Sequence, residues 1–278
     1  MILKLNNLSF NIAIHNDEKK RNKIPIIFLH GFTGNVNDWT FVVKNIPQNF
    51  YSVAIDLIGH GKSSSPKNIK NYTLSSQLQF LKKIISRLEL NNPVLVGYSM
   101  GGRLSLAYAL ENKNNVKALV LESTSFGYKT ETEQTERIAA DKRLAGQIKN
   151  STLKDFFDFW YGIDLFKSLN NNPNIALEEL KNKKVLTNNK TGLINSLIGF
   201  GTGTMDNYLK QIAEFDKKVL LITGSLDKKF TQIAKEAYTP FPNAKNKTVN
   251  NCGHNVHLEK PEEFLKFLNE FLLNVQEG

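Results

Sequence analysis

Two patterns of apolar residues share this chain. Unbroken, β-branched runs bounded by turn residues recur at Ile24–His30, Tyr51–Asp56, Pro93–Tyr98, Val116–Glu122 and Lys218–Thr223. Runs with no polar alternation suit strands covered on both faces, as in a parallel sheet. Ala244–Val249 reads as a further strand, and the first 17 residues alternate apolar with polar like a β-hairpin, with His15 in an exposed turn. Between the runs the period changes. Thr73–Leu90 places Leu74, Leu78, Leu81, Ile84, Ile85 and Leu88 at helical spacing, and Met100–Glu111 and Pro261–Leu273 fit helices too. Strands alternating with helices predict an α/β fold with a mostly parallel twisted sheet flanked by helices.

The alternation stops between Gly127 and about Met205. No buried strand is evident there, only the polar amphipathic segments Thr130–Lys149, Leu153–Trp160, Ile175–Lys184 and Leu193–Phe200. A bare loop of about 80 residues has no place in a compact domain. The expected organisation is therefore a core of residues 1–126 and 206–278 interrupted by a helical lid, 127–205.

Composition narrows the class. At 278 residues and 41% hydrophobic the chain can bury a sizeable core. No stretch approaches the roughly 18 apolar residues of a membrane helix, so membrane insertion is not expected. The alternating N-terminus lacks a basic leader and a small-residue cleavage site, which excludes a signal peptide. One cysteine, Cys252, rules out an internal disulfide and favours the cytoplasm. The net charge of +10 comes from 36 Lys and Arg against 26 Asp and Glu. These are spread without long like-charge runs, which favours a solvated surface over a nucleic-acid footprint. A small anionic substrate is the other use for such charge.

The chemistry concentrates at Gly97-Tyr98-Ser99-Met100-Gly101, which follows a strand and opens a helix. G-x-S-x-G in that setting is a nucleophile elbow, whereas an incidental serine in a Gly-rich turn would not need the context. A serine there requires an imidazole and an orienting carboxylate, in the chain order Ser, Asp, His. Asp227 and His254 each follow a strand and fit that order. Asp56 and Glu122 also end strands but precede Ser99, and Asp227 could alternatively be a helix N-cap. The loop Leu29-His30-Gly31-Phe32 supplies one oxyanion-hole N–H, from Phe32, to join that of Met100. His257 completes an H-x-x-H spacing with His254. Without a carboxylate or cysteine cluster it reads as a hydrogen-bonded helper, and no metal or organic cofactor is expected. Cys252 reads as a small buried residue, and Asp56–Ser63 as a scaffold turn.

These motifs resemble the α/β-hydrolase superfamily across nearly the whole chain, with Ile58 where its second loop usually carries proline. Further segments sharpen the resemblance: Arg103 four residues after Ser99, Leu121–Ser125, Glu136-Arg137 with Asp141, Trp160-Tyr161, Gly201-Thr202-Gly203 and Gly253–Glu259. Together they are similar to the MenH family, the 2-succinyl-6-hydroxy-2,4-cyclohexadiene-1-carboxylate synthases of menaquinone biosynthesis. That resemblance implies a carbon–oxygen lyase that eliminates pyruvate from 2-succinyl-5-enolpyruvyl-6-hydroxy-3-cyclohexene-1-carboxylate. It implies Ser99, His254 and Asp227 as a triad for proton abstraction, and His30, Tyr98, Arg103, Arg137 and Trp160 as substrate contacts. The family usually carries another lid arginine before the G-T-G. Here Lys183–Thr187 has none, which leaves Lys184 or Lys190 as replacements. A serine hydrolase acting on an ester, lactone or C–C bond of a small carboxylated substrate is the alternative. The sequence leaves the oligomeric state open.

Overall fold

The computed structural model describes residues 1–18 and 22–276. Its strands are β1 (Ile2–Leu5), β2 (Leu8–His15), β3 (Ile24–Leu29), β4 (Phe50–Ile55), β5 (Val94–Tyr98), β6 (Ala118–Glu122), β7 (Lys218–Gly224) and β8 (Ala244–Val249). They form one sheet in the order β1-β2-β4-β3-β5-β6-β7-β8. The β1–β2 hairpin lies antiparallel at one edge, and from β4 onward all pairs are parallel. His15 ends β2 opposite Ser52 rather than sitting in a turn.

The period of two explains why the central runs are apolar throughout. In β3, Ile27 and Leu29 enter the core on one face while Ile26 and Phe28 enter the other. The first face is covered by α2 (Leu74–Arg87), α3 (Met100–Glu111) and α9 (Lys228–Tyr238). The second is covered by α1 (Thr40–Lys44) and α11 (Pro261–Gln276), with α11 packed on β7 and β8 and burying Phe264, Leu268 and Phe271. Neither α1 nor α9 is among the helices expected above, although Phe230, Ile233, Ala234 and Ala237 of α9 recur at helical spacing. The first is five residues long, and the second buries only Ala234 and Ala237.

Between β6 and β7 the chain forms α4 (Glu131–Asn150), α5 (Leu153–Gly162), α6 (Lys167–Asn170), α7 (Leu177–Thr187) and α8 (Lys190–Phe200). Capping boxes start α4, where Thr130 accepts from Glu133 N–H, and α5, where Thr152 accepts from Asp155 N–H. The segment has its own apolar cluster, centred on Ile148, Phe156, Phe157, Leu169 and Leu193. Among the described residues no helix is long and apolar enough to cross a membrane.

A buried ion pair ties these helices to the turn Val36–Trp39 that follows β3. Lys184 Nζ of α7 lies 2.6 and 2.7 Å from the two carboxylate oxygens of Asp38. Burial alone would raise the Asp38 carboxyl, but the ammonium outweighs it and holds the group below its ordinary range. Lys184→Met leaves that carboxylate buried and unpaired, which is expected to cost about 3–5 kcal/mol of unfolding free energy. Urea titration measures it; a loss under about 1 kcal/mol, the range of exposed pairs, would mark the contact as incidental.

Candidate active site

Ser99 sits between β5 and α3 at φ 49° and ψ −103°, a conformation side chains rarely adopt. The flanking glycines explain how the turn closes. A Cβ on Gly101 would run into the Leu29 carbonyl, and one on Gly97 would meet Ser105 Oγ and the backbone of Gly101. The spacing G-x-S-x-G is thus a demand of close approach. Ser99 N–H donates to the Glu122 carbonyl at 2.9 Å, which fastens the turn to the neighbouring strand.

Ser99, His254 and Asp227 meet from three strand ends. His254 Nε2 lies 3.2 Å from Ser99 Oγ, and His254 Nδ1 lies 2.6 Å from Asp227 Oδ2. A carboxylate only accepts, so Nδ1 carries the proton and Nε2 turns its lone pair to the serine. Asp227 Oδ1 also accepts Phe230 N–H at 3.2 Å, capping α9. The cap and the histidine partner are both real, one on each oxygen. The Phe230 ring lies 4.5 Å from the imidazole.

Ser99 and His254 open into a cavity of about 650 Å³ that Phe32 and Met100 also line. Neither the Phe32 nor the Met100 N–H has a protein acceptor among the described residues. Met100 begins α3, so its N–H lies at the end of the helix that favours negative charge. Tyr98 and Trp160 wall the cavity, Tyr98 5.4 Å from His254 and Trp160 edge-on to Phe32 at 5.4 Å.

Two guanidiniums face the same space. Arg103 is buried on α3, donates from Nη1 to the Phe200 carbonyl at 2.8 Å, and lies 4.4 Å over the Phe200 ring. Arg137 on α4 donates from Nε to Asp141 Oδ1 at 2.9 Å. Burial first, then the charge of Arg137, pushes Arg103 down to about 9, so it stays cationic at neutral pH. Two cations against the single carboxylate of Asp141 leave a positive surplus. Gly201 and Gly203 have no room for a Cβ against Asp141 and the Gln134 carbonyl. The G-T-G segment thereby lets the turn after α8 press on the helix that carries Arg137.

The alpha/beta hydrolase fold family matches residues 24–261. A Bacillus subtilis protein provisionally named 2-succinyl-6-hydroxy-2,4-cyclohexadiene-1-carboxylate synthase is 39% identical over 93% of this chain and 94% of its own. The chain belongs to this synthase family. A Citrobacter koseri member named 2-succinyl-6-hydroxy-2,4-cyclohexadiene-1-carboxylate synthase is 28% identical over 89% of this chain and 93% of its own. The structure of MenH from S. aureus superposes with a TM-score of 0.88 at 29% identity, covering 96% of this chain and 98% of that one.

Within this synthase frame some expected contacts move. His30 does not line the cavity. It is fully buried, its Nδ1 2.7 Å from the Gly31 carbonyl and its Nε2 accepting Leu57 N–H at 2.9 Å, so it ties the loop after β3 to the loop after β4. Lys184 is spent on Asp38, and Lys190 Nζ donates to the Lys149 carbonyl at 3.2 Å; neither lines the cavity. The lysines that do are Lys129, paired with Glu236 at 2.8 Å, and Lys229. Lys229 and Phe230 were not singled out from the sequence because α9 itself was not. His257 turns Nδ1 to Glu122 at 2.7 Å instead of sharing a ligand with His254. Cys252 is buried, and burial pushes its thiol well up, unlike a nucleophile.

The neighbouring rings of His30 and His60 make stability sensitive to acid. Burial, the largest cause for each, lowers His30 to about 4 and His60 to about 3. Both stay neutral in the fold while the unfolded chain takes up protons below the ordinary 6.5. Their contribution is therefore complete above pH 6.5 and is lost as pH falls toward about 4 for His30 and about 3 for His60, at about 1.4 kcal/mol for each unit of depression. His60→Gln should flatten the decline in unfolding free energy between pH 7 and 4.5. Parallel curves for variant and wild type would refute the assignment.

Proposed function

We infer that this protein is a 2-succinyl-6-hydroxy-2,4-cyclohexadiene-1-carboxylate synthase, a lyase of menaquinone biosynthesis that releases pyruvate from 2-succinyl-5-enolpyruvyl-6-hydroxy-3-cyclohexene-1-carboxylate. The observation that carries the reading is that Arg103 and Arg137 both line the cavity that holds Ser99. A neutral ester has no use for two partly desolvated guanidiniums, whereas a substrate with three carboxylates does. Arginine binds carboxylate in bidentate fashion, so these two residues orient as well as attract.

In this reading Ser99 passes its proton to His254 Nε2 and its oxygen takes the proton from the ring carbon α to the succinyl ketone. The electrons left behind form an enolate, whose oxygen sits between the Phe32 and Met100 N–H groups. Removing one donor of such a hole typically costs about 10²–10³ in rate. The enolate collapses through the ring double bond and expels the enolpyruvyl oxygen. His254 returns its proton to that leaving group, which becomes pyruvate, and Ser99 ends with its hydroxyl restored. Asp227 holds the imidazole tautomer throughout. No step calls for a metal or an organic cofactor.

The helices of residues 127–205 act as a lid that brings Arg137 and Trp160 over the substrate. Lys229 and Lys129 at the rim meet the remaining carboxylate in place of the absent lid arginine. The free, buried Cys252 fits a cytoplasmic enzyme, and the surplus of basic side chains draws in the small anionic substrate.

Purified protein should release pyruvate from the enolpyruvyl precursor and leave p-nitrophenyl esters almost untouched; rapid ester cleavage without pyruvate would select the hydrolase instead. Ser99→Ala, His254→Ala and Asp227→Asn should each lower turnover by orders of magnitude with strongly non-additive effects. Near wild-type turnover in Ser99→Ala would remove the triad. Arg103→Ala and Arg137→Ala should each lose about 2–5 kcal/mol in kcat/KM on the anionic precursor, the scale of a truncated buried charge pair. Losses within about 1 kcal/mol in both would reduce them to surface ion pairs.

A further inference from the structure

Glu122 and His257 stand apart from the chain of Ser99, His254 and Asp227, yet both are buried, at 0% and 2% exposure. Glu122 ends β6, and its main chain and side chain are bonded to different halves of the site. Its carbonyl accepts Ser99 N–H at 2.9 Å. Its carboxylate reaches the short helix α10 (Val256–Glu259) that follows His254. There Oε1 accepts the His257 N–H at 3.0 Å, and Oε2 lies 2.7 Å from His257 Nδ1.

The His257 ring is itself held on two sides. It stacks on Trp39 at 4.0 Å between centroids and 18° between planes. It also meets Tyr98 edge-on at 5.0 Å, and Tyr98 lies 5.4 Å from His254. The His254 loop has a second glutamate, Glu259, which accepts Gly253 N–H at 3.0 Å. Glu259 also meets Ser168 of α6 and accepts Asn172 Nδ2 on its carbonyl at 3.1 Å, so it ties the loop to the helices between β6 and β7 and not to the Ser99 turn. Glu122 is different, because its strand is the one to which Ser99 is fastened. Burying a carboxylate is costly unless it is paired and fully bonded, and both oxygens of Glu122 are bonded to His257, three residues beyond His254.

We propose that Glu122 is a positioning residue that sets the separation between Ser99 Oγ and His254 Nε2, through its carbonyl on one side and the His257 link on the other. It touches no substrate and transfers no proton. Its effect is on how often serine and imidazole stand within hydrogen-bond reach.

The inference rests on the Ser99–His254 reading above, so the test uses two readouts. One is pyruvate release, resolved into kcat and KM. The other is the rate at which phenylmethylsulfonyl fluoride sulfonylates Ser99, a reaction that needs the imidazole but no carboxylate binding. Glu122→Ala should lower kcat and the sulfonylation rate together by about 10²-fold, with KM within about twofold, since a misplacement near 1 Å carries that cost. Glu122→Gln can still accept the His257 N–H and donate to Nδ1, and should recover to within about fivefold of wild type. His257→Phe keeps the stack on Trp39 and cuts only the imidazole bond. It should lose about tenfold in both readouts and decides the matter if Glu122→Ala does not fold. Folded variants with wild-type kcat and wild-type sulfonylation overturn the proposal, as does a fall in KM-dependent terms alone. Wild-type protein that neither releases pyruvate nor reacts with the reagent removes the underlying reading, and this inference with it.

Discussion

The site depends on how closely the first turn of α3 can approach the end of β3. Gly101 lies against the Leu29 carbonyl and Gly102 against Thr124, with no space for a side-chain carbon at either position. That contact puts the first N–H of the helix beside the loop that carries Phe32, and it holds Ser99 in its unfavourable backbone conformation. Strain of this kind survives only where the surroundings over-determine it. Here the parallel strands on each side do so: Gly97 is paired with Leu29 in β3 and with Leu121 in β6.

In the proposed reading, chemistry and recognition fall to different parts of the molecule. Ser99, Asp227 and His254, proposed to move protons, follow β5, β7 and β8. Arg103 and Arg137, proposed to hold the anion, are divided between α3, which packs on the sheet, and α4, which lies between β6 and β7. The cavity is lined by Arg103, Arg137, Lys129 and Lys229 against Glu133 and Glu236, so basic side chains outnumber acidic ones there. Low-dielectric surroundings make such an imbalance count for more than the same charges would on the surface.

Much of this was legible in the chain. The central strands announce themselves as β-branched runs because both faces are covered, and the glycine spacing around Ser99 marks a turn that nothing bulkier could make. Legibility failed where a residue's role depends on a distant partner. Lys184 reads as a stand-in for a lid arginine until Asp38, 146 residues away, is found to hold it. His30 sits in a motif near the site, yet its ring nitrogens serve the backbone of Gly31 and Leu57. Helix α9 does show the spacing, with Phe230, Ile233, Ala234 and Ala237 on one face, but it is short and its buried residues are alanines; Lys229 and Phe230 were passed over with it. Asp227 raised a choice between cap and histidine partner that has no answer in one dimension, since a carboxylate has two oxygens and uses both.

The helical segment leaves the sheet at the end of β6 and returns at the start of β7, and these strands are neighbours, with Glu122 paired to Ile222. Its point of departure and its point of return are therefore bridged by the sheet, whatever lies between. A lineage can lengthen, shorten or exchange the intervening helices without re-threading a strand or disturbing the order of the serine, aspartate and histidine. The fold is in this sense modular in time: the strands that place Ser99, Asp227 and His254 can persist while the helices between β6 and β7 change.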